Sequence, residues 1–506
     1  MRKPIWQTLT CSDTAVLALF GLGVVLLHIL VNGQYGFHRD ELLTYSNARQ
    51  LAWGYVSYPP MTPFLARVEL LLFGTSLTGY RFFAALSQGV LLFLTGLMAR
   101  ELGGKREAQL VAACAVAGGG YSLFSGSFHS YSTFDYLWWV LAAYFVVRLL
   151  KRDDARWWMA IGAAIGMGML TKYTMAFLVL GIVGGMLLTP ARRHLASLWF
   201  WGGVCVALLI MSPNIAWQIQ HHFITWDCMR TIHVRDMHRG WTDGFLLNQL
   251  WKSSGAVTVP IWCAGLWFLF ATPQGKRYRM LGWMYVIPLA VFLIAKGRDY
   301  YMAPAYPMLL AAGAVWGEAW LATLSARAAL HVRRSTWQTL AWAGAITAAI
   351  NLPVAPVNSA WWHIADGMNG NFNMEIGWRE LAETVAGIRA SLPAEDRGGL
   401  GIITGDDGET GAMDLYGPAY GLPRPISGMN SSWARGYGDP APQTVITVGM
   451  ERDFLFRNFE SCQLAGRATN RYGIGNLAIV GYEDIFVCRH LRQPWPEFWK
   501  HFQYFG

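Results

Sequence analysis

Charge is what this chain has least of: 14% of its 506 residues are Asp, Glu, Lys or Arg, where a soluble domain carries about 25%. That deficit excludes an ordinary water-soluble globule. Cysteine is sparse too, seven in all, and none stand at zinc-ligand spacing, which excludes a structural zinc module. Walker-type and Rossmann glycine loops are missing, so an ATP or nucleotide-sugar donor has no site. Neither low-complexity tracts nor a strong internal repeat occurs. No small-residue cleavage site follows the first apolar run, Thr14 to Val31, so that run reads as a retained span and not a signal peptide.

What is present is apolar length. The chain is 54% hydrophobic with 25 Trp, and its apolar runs approach the roughly 20 residues that cross a bilayer. The expected spans are 13–32, 80–100, 107–125, 132–150, 156–171, 173–190, 195–213, 250–272, 279–295, 302–322 and 336–353. The fold class expected is therefore a polytopic α-helical membrane protein with about eleven transmembrane helices. The net charge of +9 sits in Arg2-Lys3, Lys105-Arg106, Lys151-Arg152, Arg192-Arg193, Lys276-Arg277 and Arg333-Arg334. After the N-terminal pair, these clusters recur at every second loop, which is a topology signal. They do not gather on one face of one domain, so no nucleic-acid partner is expected. Charged loops then lie in the cytoplasm with the N-terminus, and residues beyond about 354 lie outside, in the periplasm of a bacterial inner membrane.

Past residue 354 the apolar runs stop. Trp378, Leu381, Val385, Ile388 and Leu392 recur at helical spacing. Leu400–Thr404, Thr444–Val448 and Asp484–Cys488 read as short buried strands. The expected domains are a membrane unit, 1–353, with a first outer loop at 33–79, and an extracytoplasmic α/β unit, 354–506. Gly405-Asp-Asp-Gly-Glu409 follows the first strand, at a ligand position in open sheets, although such a stretch is more often a plain turn. Cys462 and Cys488 share this region, and a disulfide between them stays open.

Polar groups converge on the outer loops. His38-Arg39-Asp40-Glu41 follows the first span, and Pro59-Pro60 with Pro63 stiffen the returning chain. Such density is costly in hydrocarbon and suits an interfacial site. Asp40 is the candidate base, with Glu41 beside it. Asp135 opens an apolar span, where a carboxylate needs a partner, a cavity or a capping role. Lys172, Lys296 and Arg298 lie on the outer side, against the positive-inside bias, and suit a lipid phosphate. His38, Arg39, Tyr58 and Tyr301 complete the substrate-site candidates. The long loop Pro213–Asn248 holds His221-His222, His233 and His238, without the i, i+4 spacing of a helical metal site.

At these residues the sequence resembles the bacterial branch of glycosyltransferase family 39. Its relatives are the dolichyl-phosphate-mannose protein mannosyltransferases and the lipid A aminoarabinose transferase. The carriers are Tyr35-Gly-Phe-His-Arg-Asp-Glu-Leu42, Trp53-Gly-Tyr-Val with Pro59-Pro60, Phe134-Asp-Tyr136, Leu170-Thr-Lys-Tyr173, Pro213-Asn-Ile-Ala-Trp217 and Lys296-Gly-Arg-Asp-Tyr-Tyr301 with Tyr306-Pro307. Asp414-Leu-Tyr-Gly417 and Ser427-Gly-Met-Asn430 extend it outside the membrane. The resemblance implies a GT-C fold and a polyprenyl-phosphate-linked sugar donor. It also implies an acidic catalytic motif, carried by Asp40 and Glu41, with Asp135 as the second acidic position. The chain departs from the pattern at Ser57, where relatives often carry an acidic residue, and it lacks a β-trefoil insert.

The expected activity is transfer of a sugar to an acceptor hydroxyl or phosphate at the periplasmic face, by one inverting displacement. No cofactor is required, and a divalent metal stays open. A lipid, glycan or protein would be the acceptor, and membrane lipids would surround the spans. The competing class is a transporter or flippase of lipid-linked saccharides, which would place polar residues at the midplane.

Overall fold

The computed structural model describes residues 12–506; Arg2-Lys3 and Cys11 lie outside the described residues. Seven helices carry or brace the polar outer loops. They are α1 (Asp13–Val31), α2 (Arg39–Ala48), α3 (Met61–Phe73), α4 (Phe82–Glu101), α5 (Tyr131–Arg152), α6 (Trp378–Ser391) and α7 (Asp407–Tyr416). Ser12 caps α1 through the Ala15 amide. That helix buries Leu17, Val25 and His28 and leaves Leu19, Leu22, Leu26 and Leu30 exposed. In water that face would be unsupportable, and in lipid it costs nothing.

All eleven expected segments contain helix. Among the described residues, five helices are long and apolar enough to cross a membrane, or eight if each of three sharply bent pairs is one span. Trp157–Met169, Tyr306–Leu321 and Ala326–Asn351 do not meet that test alone. The long loop Pro213–Asn248 is not open chain. Leu198–Gln220 runs through Pro213, and Ile224–His238 forms a further helix.

The bundle has two unlike ends. At one, the basic clusters pair with nearby acids: Arg106 with Asp13 at 2.6 Å, Arg333 with Glu107 at 2.6 Å and Lys151 with Glu101 at 2.9 Å. The other end gathers loops far apart in sequence. Met61 N–H donates to Leu170 O at 2.9 Å, Asn214 Nδ2 to Trp53 O at 2.8 Å and Asn32 Nδ2 to Gly126 O at 3.0 Å.

Beyond Asn351 the chain builds a five-stranded sheet in the order β2-β1-β3-β5-β4. The strands are β1 (Leu400–Thr404), β2 (Pro425–Ile426), β3 (Thr444–Val448), β4 (Phe459–Arg467) and β5 (Asp484–Leu491). β1 pairs in parallel with β2 and β3, and β5 is antiparallel to β3 and β4. Three of the five strands match the sequence expectation. The two-residue β2 and the largely exposed β4 carry too little apolar pattern to be read. Cys462 and Cys488 face each other across β4 and β5 and form a disulfide. The core of this unit is shared: Phe37, Leu42, Tyr45 and Tyr80 from the first loop pack with Trp378, Leu381, Ile402 and Ile446.

Candidate active site

The His38-Arg39-Asp40-Glu41 stretch is a helix start and not an irregular loop. His38 Nδ1 accepts from the Asp40 amide at 3.1 Å, while Glu41 Oε2 accepts from the His38 amide at 2.9 Å. This reciprocal cap satisfies amides that the first turn leaves unpaired. Successive helical residues point about 100° apart, so the two carboxylates part company. Asp40 keeps 39% of its side chain exposed, and Arg39 Nη1 at 4.0 Å is its only ion-pair partner among the described residues. No donor there is hydrogen-bonded to its carboxylate.

Glu41 is fully buried. Arg81 Nε and Nη2 donate to its two oxygens at 2.8 and 2.7 Å, and the His129 amide adds a third bond at 2.9 Å. Burial alone would raise its pKa, but Arg81 outweighs burial and holds the carboxyl low. Although adjacent to Asp40 in sequence, Glu41 therefore sits in different surroundings, its oxygens bonded by Arg81 and by the His129 and His38 amides. Arg81 Nη2 also reaches Glu375 Oε2 at 3.2 Å. Burial, with the Glu41 charge alongside, pushes Glu375 up to about 8 despite Arg81. Nothing in the sequence reading singled out Arg81, although an arginine opening an outer-side span breaks the positive-inside bias as Lys172 does.

Lys172 is 8% exposed, and among the described residues no carboxylate lies within ion-pair distance of it. Its Nζ donates to Ser132 Oγ at 2.9 Å. Three rings surround the ammonium: Tyr301 at 4.5 Å, Tyr300 at 4.9 Å and Tyr131 at 5.2 Å. Such cation–π contacts offset part of the desolvation but leave the charge without an anion. Ser132 lies less than one turn before Asp135 on α5. Asp135 is not the cap of that helix, a place taken by Ser130. Asp135 Oδ2 accepts from Thr174 Oγ1 at 2.8 Å, its Oδ1 has no hydrogen-bond partner among the described residues, and the Lys172 charge acts on it.

Tyr300 marks where the charges meet, because Lys172, Arg298 and Asp40 all act on its hydroxyl. Burial would raise that phenol; Lys172 and Arg298 outweigh it and hold the pKa below the usual tyrosine value. Arg298 arrives already paired, its Nε donating to buried Asp236 Oδ2 at 2.6 Å. Lys296 stands apart, exposed on a shallow depression with Asp243, Phe245 and Leu293. The backbone is left-handed at Lys296 (φ 50°).

The other candidates are framework. His38 is buried, its Nε2 without a hydrogen-bond partner among the described residues and its ring edge-on to Phe128 at 4.6 Å. Burial outweighs Asp40 and Glu41 and lowers its pKa, keeping the ring neutral. Tyr58 is buried and its hydroxyl accepts from Asn47 Nδ2 at 2.7 Å. Arg39 spans to the sheet unit, with Nε to Asp406 Oδ1 at 2.8 Å and Nη2 to Oδ2 at 2.6 Å. Ser57, the departure from the family pattern, has a buried hydroxyl with no hydrogen-bond partner among the described residues. Among the described residues, no three His, Cys, Asp or Glu side chains stand together to hold a metal.

Residues 57–217 match the family model of dolichyl-phosphate-mannose-protein mannosyltransferase. The chain is 26% identical over 289 residues to lipid A galacturonosyltransferase RgtD of Rhizobium johnstonii, covering 53% of this chain and 58% of that one. It is 25% identical over 304 residues to undecaprenyl phosphate-alpha-4-amino-4-deoxy-L-arabinose arabinosyl transferase 1 of Pseudomonas fluorescens, covering 55% and 52%. The chain thus spans little more than half the length of these curated relatives. The crystal structure of ArnT from Cupriavidus metallidurans bound to undecaprenyl phosphate superimposes with a TM-score of 0.57 at 16% identity, covering 94% of this chain and 97% of that one. The fold is that of the GT-C membrane enzymes, and the family resemblance seen in the sequence holds.

Proposed function

From a chain of GT-C fold related to the lipid A sugar transferases, we propose an integral-membrane glycosyltransferase of the bacterial inner membrane. Its donor is a sugar on a polyprenyl phosphate, and its acceptor is a hydroxyl or phosphate of a cell-envelope glycolipid. The donor class follows the names of the arabinosyl transferase and of the undecaprenyl-phosphate-bound structure. The acceptor class follows the name of the galacturonosyltransferase.

One observation supports the reading: among the described residues Lys172 is a buried ammonium with no ion-pair partner, and it acts on the same tyrosine, Tyr300, as the accessible Asp40, whose one ion pair is the 4.0 Å contact with Arg39. Burying a cation without a partner is expensive, so the site is suited to a phosphate that arrives with the substrate. The donor is already activated, and no nucleotide is needed. Asp40 takes the proton of the acceptor. The acceptor oxygen bonds to the anomeric carbon as the bond from that carbon to the phosphate oxygen breaks, inverting the centre. Lys172, with Arg298, stabilises the charge left on the polyprenyl phosphate. Asp135 holds Thr174 and adds negative potential near Lys172, and Glu41 fixes the turn that carries Asp40. The same proposal divides the chain into a membrane unit, 1–353, and a periplasmic unit, 354–506. The Cys462–Cys488 disulfide supports an oxidising compartment for the latter.

The test is transfer from a polyprenyl-phosphate-linked sugar to a lipid A acceptor by protein reconstituted in vesicles. Wild type releases polyprenyl phosphate, and Asp40→Asn slows release by about 10²–10⁴-fold. Undiminished turnover of the variant rejects the base. Donor movement across the bilayer with no release rejects transfer altogether.

A further inference from the structure

In the sheet unit, β1 lies between its parallel neighbours β2 and β3. The chain leaves β1 toward β2 and returns to the other side as β3, so the strand order reverses at β1. Open α/β sheets take ligands in the crevice beyond the carboxyl ends of the strands at such a point. Here that crevice is closed by the protein itself. The Gly405 amide donates to Val448 O at 2.9 Å, joining the ends of β1 and β3. Tyr504 Oη donates to Gly405 O at 2.9 Å. Asp406 then caps α7, accepting from the Gly408 amide at 2.7 Å, and receives the two-pronged Arg39 guanidinium.

The rest of α2 follows Arg39 onto the same surface. α7 presents Gly408 and Gly411: a Cβ on the first would stand 2.8 Å from Arg39 Cγ, and one on the second would overlap the Leu42 backbone. Ser46 Oγ donates to Asp414 Oδ2 at 2.5 Å, and Arg49 Nη1 to Asp414 O at 3.0 Å. On its opposite flank α2 is held through Glu41 and Arg81 to Glu375, again a residue of the sheet unit.

We infer that the sheet unit is a clasp for the helix that carries Asp40, with Asp406 and Glu375 as positioning residues acting through Arg39 and through Arg81–Glu41. The inference rests on the reading of Asp40 as the base. The ligand crevice is occupied by a side chain next to the reacting one, so its occupancy fixes the position of Asp40. Arg39 and Asp40 are adjacent, and a displacement on the order of 1 Å at a reacting group costs about 100-fold.

The experiment uses the full-length protein in lipid nanodiscs, with hydrogen exchange over residues 38–48 and steady-state transfer kinetics. Asp406→Asn is expected to speed amide exchange in α2 by about tenfold or more, the loss of a charged hydrogen bond. It should lower kcat by about 10- to 100-fold while donor KM stays within about threefold. Unchanged α2 exchange in Asp406→Asn overturns the clasp, as does a kcat loss that merely tracks the unfolded fraction. If wild type transfers no sugar, the proposed function fails, and the exchange measurement still decides the clasp.

Discussion

Asp40 and Glu41 are neighbours of identical charge, yet their environments share almost nothing. Glu41 is sealed against Arg81, while Asp40 faces outward with one distant guanidinium. Separating them needed the helix, because the helical turn aims one carboxylate at Arg81 and leaves the other exposed. Lys172 is the complementary case. A buried lysine that stabilised the fold would have a carboxylate on it; this one has a serine hydroxyl and three tyrosine faces. Replacing it by methionine removes an uncompensated charge at similar volume. Lys172→Met should therefore keep or raise the melting temperature while weakening undecaprenyl phosphate binding by about 10- to 100-fold. Native mass spectrometry with lipid titration and a thermal melt check both halves; equal affinity would remove Lys172 from the phosphate site.

At the scale of elements, the contact between α2 and α7 decides the geometry of the site. Gly411 lets α7 meet the α2 backbone at Leu42, and Gly408 makes room for the Trp378 and Arg39 side chains; neither signalled this in the sequence, where Gly405-Asp-Asp-Gly-Glu409 reads first as a plain turn. Gly411→Val should push α2 off α7 and destabilise the protein by about 1–3 kcal/mol, the usual range for overpacking. Gly399, with open space around its Cβ position, is the control, and Gly399→Ala should leave the melt unchanged. Equal melts for the two variants would mean the close approach is not needed. Among the strands, burial decides legibility. β1, β3 and β5 are buried, apolar and readable; β2 has two residues, and β4 faces solvent along most of its length.

For the whole molecule, the two-ended charge distribution is the organising fact. Basic loops gather at one end and pair with local acids, while the candidate site and the sheet unit occupy the other. That arrangement predicts a cytoplasmic basic end and a periplasmic sheet unit. In intact spheroplasts a membrane-impermeant thiol reagent should label Glu395→Cys at once and reach Arg334→Cys only after permeabilisation, both positions being exposed. Reversed labelling would place the candidate site on the wrong side for a periplasmic transferase.

By itself the sequence determined the membrane class, the helical segments, the end at which polar loops collect and a set of candidate residues there. These come from hydrophobic length, charge placement and residue type, which are local properties. Only the tertiary structure decided which of two adjacent acids is free, that Arg81 and Glu375 complete the anchor, that Lys296 stands aside, and that Arg39 fills the crevice of a sheet 367 residues away along the chain. Those outcomes depend on the direction of side chains and on contacts between distant segments. No local pattern encodes them, because the free energy that selects them exists only once the loops have been brought together.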